Sequence, residues 1–414
     1  MAETKRRAPG EPPEVRSPQT DAEWDASEAL MLREFYPNVD IEQRLAAARQ
    51  RRAAASPAHR PDWASRAAFK DGVLVGRYNL QLRHLRHGPA RILTGCVGGV
   101  VTAEEVRGQG YGRALMRDAT ALAQRERWPL LLLAGIANFY GKHGYRVCCT
   151  NAEHSVDLAK VRWPEHPTHT VRDAARADAA DLLRLYQGTY HEVLGSFDRE
   201  VEAQRYRLGL SDEQRLLKVA CTADGRVEGY LYRSGDAWAY EAHEMAASSE
   251  GATLALLAAH RDLVPEATHL KWQLPLGSRE LAWLQAHADL YSGWHSPRQA
   301  GWQARLGDVG AWCEAMLPVW AERWGERAPR KLVLSIGEAE YGLQLGPGRA
   351  VLVAPAGPRA RWAPEALVQA MWGYQPVARF LDRPDLLTAE PGAAEMLAIL
   401  FPVQHPFIPH SDDF

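Results

Sequence analysis

The 414-residue sequence has few of the features that mark several common classes of protein. Its five cysteines are odd in number and lack Cys-x-x-Cys spacing, which disfavours both a disulfide framework and a zinc site and predicts buried, reduced thiols. Lys and Arg together number 49 against 51 Asp and Glu, so no overall basic field would draw the chain to nucleic acid or to an anionic membrane. We therefore expect no nucleic-acid partner, no membrane partner and no metal.

Long apolar runs are also missing from the sequence. No run approaches the ~20 residues that a membrane-spanning helix needs. The first 20 residues are charged and contain four prolines, unlike a secretory signal peptide. We expect a cytoplasmic protein in which residues 1–20 form a disordered tail, because this segment has too few apolar residues to pack.

A glycine-rich segment stands between an apolar run and a helical pattern. The apolar run at 97–101 is followed at 107–112 by Arg-Gly-Gln-Gly-Tyr-Gly, and a helix-like pattern continues from 113 to 126. Glycine permits backbone conformations in which successive N–H groups close around an anion at the positive end of a helix. The segment therefore predicts a cradle for a pyrophosphate group. No Gly-Lys-Ser/Thr follows it, and its glycine spacing differs from the Gly-x-Gly-x-x-Gly of dinucleotide-binding folds.

A second motif follows about 30 residues later. Residues 138–145, Asn-Phe-Tyr-Gly-Lys-His-Gly-Tyr, come after an apolar strand candidate at 129–134. The phenol of Tyr140 stays protonated at neutral pH, so it can donate a proton to a departing anion.

The two motifs in this order resemble the GNAT superfamily of N-acetyltransferases. Arg-x-x-Gly-x-Gly matches the acyl-coenzyme A signature of that superfamily, and Tyr140 falls on the tyrosine that stands beside the acyl thioester. The resemblance implies acetyl-CoA as cosubstrate and Tyr140 as the acid that protonates the coenzyme A thiolate. The residues that it implies at the CoA site are Val100, Val101, Thr102, Arg107, Gly108, Gln109, Gly110, Tyr111, Gly112 and Arg113.

Patterns along the chain predict a mixed α+β fold of three units. Residues 21–163 read as a catalytic GNAT domain that begins with paired helices and contains an Asp71-Gly72 hairpin turn. Residues 168–298 repeat the order of helix pair, hairpin, long strand and helix, but carry Ala-Ala-Ser-Ser-Glu-Gly at 246–251 where the cradle would lie. We interpret this unit as a GNAT-like duplicate that cannot hold a pyrophosphate. Residues 299–414 resemble a sterol-carrier-protein-like α+β domain, for which we expect a private core and an interface.

Two GNAT units followed by such a domain resemble the enhanced-intracellular-survival acetyltransferases. The resemblance implies a homo-oligomer, commonly a hexamer, for which Trp312, Trp320 and Trp324 could serve as interface or as core. It also implies that the C-terminal carboxylate, here that of Phe414, is threaded back to the first domain as general base. Glu104 and Glu105 at the end of the cradle strand are the alternative bases.

The function implied is direct transfer of an acetyl group from acetyl-CoA to a primary amine of a small cationic acceptor, such as an aminoglycoside-like molecule, a polyamine or a lysine. Asp412 and Asp413 beside the terminus could attract such a cation. A covalent acyl-enzyme on Cys96 or Cys148 is disfavoured because neither has a His/Asp pattern nearby to activate it. The alternative from another class is a non-catalytic scaffold that binds acyl-CoA or another ligand.

Overall fold

The computed structural model describes residues 13–54, 64–201, 215–234, 240–295 and 299–412. Its ten α-helices in these ranges are α1 (Asp21–Phe35), α2 (Ile41–Ala54), α3 (Tyr111–Arg125), α4 (Ala179–Tyr190), α5 (Glu250–Leu263), α6 (Arg279–His287), α7 (Val309–Trp324), α8 (Pro364–Met371), α9 (Val377–Leu381) and α10 (Ala393–Leu400). None of them combines the length and the apolar composition that crossing a bilayer takes.

The strands of the described ranges form three sheets. They are β1 (Glu14–Arg16), β2 (Ser65–Lys70), β3 (Val73–His87), β4 (Ala90–Thr102), β5 (Leu130–Gly135), β6 (Arg146–Val147), β7 (Asn151–Asp157), β8 (Thr170–Asp173), β9 (Arg215–Cys221), β10 (Val227–Ser234), β11 (Glu241–Ala247), β12 (His269–Trp272), β13 (Leu290–His295), β14 (Gly301–Leu306), β15 (Arg330–Ile336), β16 (Ala339–Gly346), β17 (Arg349–Val353), β18 (Arg359–Trp362) and β19 (Leu387–Ala389). The sheet orders are β1-β2-β3-β4-β5-β14-β6, then β13-β7-β12-β11-β10-β9-β8, then β17-β16-β15-β18-β19.

The first sheet starts earlier than the sequence suggests. Strand β1 pairs with β2, and the Thr20 side chain accepts a hydrogen bond from the Glu23 amide to cap α1. The prediction of an unpacked tail up to residue 20 is therefore wrong from β1 onward, while residues 1–12 lie outside the described ranges. The hairpin turn is as predicted, since Asp71 and Gly72 both have positive φ, 50° and 79°, as a type I′ turn requires.

Strands β4 and β5 pair only over a short parallel stretch. In the described ladder, Thr94–Cys96 of β4 lie beside Leu130–Leu132 of β5, whereas β4 runs on to Thr102 alongside β3. A bulge at Gly99, with φ of 56°, shifts the register with β3 at the point where the pairing with β5 has ended. One edge of β4 is thus left open beside helix α3.

The first two sheets exchange one strand each. Strand β14 lies between β5 and β6 in the first sheet, and β7 lies between β12 and β13 in the second. The domain boundaries predicted at 163 and 299 are therefore wrong for these strands. Both segments carry an ordinary strand pattern, and nothing local in such a pattern specifies a partner more than a hundred residues away.

The second sheet repeats the parallel contact of the first, here between β11 and β12. The helix that corresponds to the cradle helix is α5, and its N-cap is Ser249, whose side chain accepts a hydrogen bond from the Ala252 amide. Glu250 adds negative charge in the first turn, and a Cβ at Gly251 would lie 2.4 Å from the Thr168 hydroxyl oxygen. These contacts fit our interpretation that this copy does not hold a pyrophosphate.

The third unit shares its core with the first. One buried cluster joins Ile92 and Leu132 of the first sheet to Trp312 on α7 and Leu334 on β15. The expectation of a private core is therefore wrong, and the likeness to a sterol-carrier domain stays a prediction. Trp312, Trp320 and Trp324 are 0%, 0% and 3% exposed, which assigns them to this core and not to an outer surface. All five cysteines are buried and unbridged, as predicted.

Candidate acyl-coenzyme A site

The loop before α3 has the backbone conformation that its glycines permit. Gly108 and Gly110 have φ of 79° and 92°, and a Cβ at either position would meet no atom within 4 Å. Glycine is therefore required here by the left-handed backbone and not by crowding. Gly110 is the N-cap of α3, and the first turn of that helix contains no acidic residue. The unpaired amides and the positive end of the helix dipole favour an anion at this point.

Gly112 has a different role from the other two glycines. A Cβ on this residue would lie 3.1 Å from Cζ of Phe139, so its absence lets the 138–145 segment approach α3 closely. The two motifs found in the sequence meet at this contact.

Between the two motifs lies a cleft of about 660 Å³. Its walls contain Thr102, Val106, Arg107, Gly108, Gly110, Tyr111, Gly112, Arg113, Arg117, Phe139, Lys142 and His143. Seven of the ten residues predicted at the CoA site are in this wall. Val100 and Val101 precede Thr102 on β4, and the side chain of Gln109 donates instead to the Glu105 carbonyl.

The positive charge of the cleft exceeds what the sequence analysis assigned to it. Arg117 and Lys142 join Arg107 and Arg113 in the wall. Arg117 lies one helical turn after Arg113, so the spacing of four along α3 is a signal that could have found it. His143 is also there, and its pKa is lowered by burial first and then by the neighbouring cations, including Arg113 and Arg117.

Arg107 links the loop to α1 through an ion pair with Glu34. Its Nη2 lies 2.6 Å from an Oε of Glu34, and its Nε donates to the Thr102 carbonyl at 3.3 Å. The guanidinium remains about half exposed. The first residue of the motif therefore connects the anion cradle to the helix that covers this side of the sheet.

Tyr140 begins a 3₁₀ helix, Tyr140–His143, and its ring is 7% exposed. The ring packs edge-on against Phe139, with centroids 4.9 Å apart, and lies against the end of β5 at Gly135. Burial raises the pKa of Tyr140 to about 12. The phenol is therefore protonated throughout the neutral range, as a proton donor must be.

Two of the three candidate bases, Glu104 and Glu105, are among the described residues. Phe414 and Asp413 lie outside the described residues. Asp412 is buried and ion-paired with Arg199 and Arg83, so the expectation that it attracts a cationic acceptor from solution is wrong. Glu104 and Glu105 are exposed in the 3₁₀ turn Glu104–Val106 that follows β4.

The cysteines do not provide an acyl carrier. Cys96 and Cys148 are buried, and burial raises the pKa of both thiols, which leaves them protonated and weakly nucleophilic. This environment argues against a covalent acyl-enzyme on either residue.

Comparison with known proteins agrees with this geometry. Residues 18–148 match a family model described as an acetyltransferase (GNAT) domain, so the chain carries an acyltransferase domain of this type. Three solved structures are similar over 97% of this chain: a GCN5-related N-acetyltransferase from Kribbella flavida (19% identity, 99% of that chain, TM-score 0.72), a probable N-acyltransferase from Enterococcus faecalis V583 (16%, 99%, 0.77) and Eis1 from Mycobacterium abscessus (17%, 100%, 0.65). At these identities the likeness establishes a shared fold, which confirms the predicted mixed α/β architecture built on GNAT units. No curated protein sequence matches the chain significantly.

Proposed function

We propose that this acyltransferase moves an acetyl group from acetyl-CoA directly to a primary amine of a small cationic acceptor. The observation that carries the proposal is that the anion-binding loop and the 139–143 segment form opposite walls of one cleft, joined where Phe139 packs on Gly112. Tyr140 lies directly behind this wall, with its buried ring packed edge-on against Phe139. The acceptor class, namely aminoglycoside-like molecules, polyamines or lysine, follows from the family resemblance, as does the homo-oligomer; the cytoplasmic location is the expectation drawn from the sequence.

The cleft supports a specific placement of the cosubstrate. The pyrophosphate of acetyl-CoA binds the amides of Gly108 and of residues 110–112, with Arg107 and Arg113 as counter-charges, whereas the Gln109 amide donates to the Val106 carbonyl. The pantetheine arm lies along the open edge of β4 at Val100–Thr102, where backbone groups are free of a β5 partner in the described ladder. This path brings the thioester to the end of β5, beside Tyr140.

The proton transfers follow from the acid and base on either side of the thioester. The acceptor amine gives a proton to the α-carboxylate of Phe414, which is ionised at neutral pH because its ordinary pKa is about 3.5. The amine nitrogen bonds to the acetyl carbon, the carbon–sulfur bond breaks, and Tyr140 gives its phenolic proton to the thiolate.

The test is thiol release from acetyl-CoA with polyamines, aminoglycosides and lysine peptides. We expect removal of Phe414 to lower kcat about 100-fold or more, because it withdraws a general base. Phe414→Ala is the matched variant, since it keeps a carboxylate at the same chain position and removes only the ring; it should retain most of the activity. Equal kcat in the intact and shortened chains would move the base to Glu104 or Glu105. Binding of acetyl-CoA without thiol release for any amine of the panel would favour the scaffold alternative.

A further inference from the structure

A buried ionic cluster closes around the end of the C-terminal tail. Arg199 donates to both carboxylate oxygens of Glu244, at 2.8 and 2.7 Å, and to Asp412 at 2.7 Å. Arg83 donates to the side chain of Asp412 and, at 3.1 Å, to its carbonyl oxygen. Three of these side chains, Arg199, Glu244 and Asp412, are at most 4% exposed.

Among the described bonds of this cluster, guanidinium groups face carboxylates and hydroxyl groups supply further donors. Tyr230 donates to Glu244 at 2.6 Å, and Ser411 in the tail donates to the other oxygen of the same carboxylate. Taking ions out of water costs several kcal/mol each, so such a cluster is weak evidence for general stability. Its bonds are directional, however, and they fix the tail in one position.

Other residues of the tail bind to the second GNAT unit near this cluster. The Phe407 amide donates to the Leu194 carbonyl at 2.8 Å, and the Phe407 ring stacks on Tyr190. The His410 ring stacks on His243, with centroids 4.4 Å apart. These contacts attach the tail to the second GNAT unit, whereas Arg83 on β3 attaches it to the first.

The end of the tail lies close to the point where β4 and β5 part. Arg83 is paired with Thr94, and Cys96 is the last residue of β4 that pairs with β5 in the described ladder. Burial raises the pKa of the Cys96 thiol most; the charge of Arg83 lowers this pKa and the charge of Asp412 raises it. The carboxylate of Asp412 is therefore near β4. Phe414 is two residues beyond Asp412 in the sequence, a span of at most about 7 Å.

We infer that Arg83, Arg199 and Glu244 are positioning residues, which hold Asp412 so that the α-carboxylate of Phe414 reaches the acceptor amine. The inference rests on the proposed function, in which that carboxylate is the general base. None of the three residues touches the reacting atoms; each acts through the tail.

Asp412→Asn tests the inference because it keeps the side-chain shape and removes the charge that both arginines bind. We expect kcat to fall about 100-fold, since small displacements of a catalytic group have effects of this size, while KM for acetyl-CoA stays within about twofold. Asp198→Asn is the matched control, because it removes a carboxylate near the tail whose ion pairs among the described residues are with Arg86 and Arg91. The control should keep the kcat of the unaltered chain.

Two further readouts separate positioning from a merely structural role. In a chain that lacks Phe414, Asp412→Asn should lower kcat no further; a second fall by the same factor would overturn the inference. Carboxypeptidase should release Phe414 faster from Asp412→Asn than from the unaltered chain or the Asp198→Asn control, and equal rates would also overturn it.

The outcomes distinguish this inference from the function on which it rests. If removal of Phe414 leaves kcat unchanged, the choice of base is wrong, and the carboxypeptidase rates alone decide whether the cluster holds the tail. Should Asp412→Asn fail to fold, Arg83→Gln replaces it, because that variant leaves the bonds of Arg199 to Glu244 and Asp412 in place.

Discussion

The ring of Tyr140 lies in the space that a side chain at Gly135 would occupy. A Cβ at this position would be 2.4 Å from Cδ2 and 2.5 Å from Cε2 of the ring, far inside van der Waals contact. Gly135 is the last residue of β5, so the ring of the proposed acid packs directly against the end of that strand. The position of the phenol depends on the absence of one methyl group.

Gly135→Ala should therefore displace the ring. We expect kcat to fall about 10- to 100-fold, in the direction of Tyr140→Phe, because a proton donor that moves by an ångström loses its alignment with the sulfur. Gly141→Ala is the matched control one residue from Tyr140, since a Cβ there meets nothing closer than an Nη of Arg146 at 3.9 Å. Steady-state kinetics of thiol release compare the variants; an unchanged kcat in Gly135→Ala would contradict the assignment.

Gly110→Ala should weaken binding of acetyl-CoA. An L-residue in the left-handed region costs roughly 1–2 kcal/mol, and relief of that strain moves the amides of the cradle. We expect KM for acetyl-CoA to rise about 10-fold, equivalent to about 1.4 kcal/mol.

Gly225→Ala controls for the strain itself. Gly225 has φ of 85° in the turn between β9 and β10, and a Cβ there also meets no atom within 4 Å. It should lose a similar amount of thermal stability and keep the KM of the unaltered chain. Equal rises of KM in both variants would show that the effect has nothing to do with the cradle.

Arg117→Gln should also raise KM for acetyl-CoA, by about 10-fold, because a charged hydrogen bond to phosphate contributes about 1.5–3 kcal/mol. The difference from the unaltered chain should shrink as salt increases, since the cleft is open to solvent and its charges are screened. Arg125→Gln on the same helix removes an exposed arginine that pairs with Glu126 outside the cleft wall, and it should change nothing. Equal KM values for the two variants would remove Arg117 from the site.

We expect His87, at the contact between the first and third units, to make the free energy of unfolding depend on pH. Its Nε2–H donates to the Met371 carbonyl at 2.7 Å, the side chain is fully buried, and burial lowers its pKa to about 4. The unfolded chain, with an ordinary pKa near 6.5, binds the proton more readily, so the contribution is complete above pH 6.5 and is lost as pH falls toward 4.

We expect the free energy of unfolding to decrease by about 3 kcal/mol over that interval because of His87. Denaturant titrations at several pH values measure it. His87→Gln should remove this part of the pH dependence, whereas His84→Gln, exposed on the same strand, should keep it. An unchanged pH dependence in His87→Gln would assign the effect to other groups.

The sequence predicts the parts of this molecule whose chemistry is local. Gly108 and Gly110 are recognisable because an anion cradle needs consecutive residues, and the hairpin at Asp71 because one dipeptide sets the turn. The sequence suggests a surface charge at Asp412 because its partners Arg83 and Arg199 are remote in the chain, and burial is decided by how distant segments meet.

The exchange of β7 and β14 has a consequence for synthesis on the ribosome. The first sheet lacks the strand between β5 and β6 until residue 306 has emerged, so the edges of β5 and β6 that face β14 stay unpaired while the second unit is being made. A gene cut at the predicted boundary of 163 would leave β7 without its sheet and expose those edges to aggregation. The first two sheets are thus completed almost together, by β13 and β14, although their sequences read as consecutive domains.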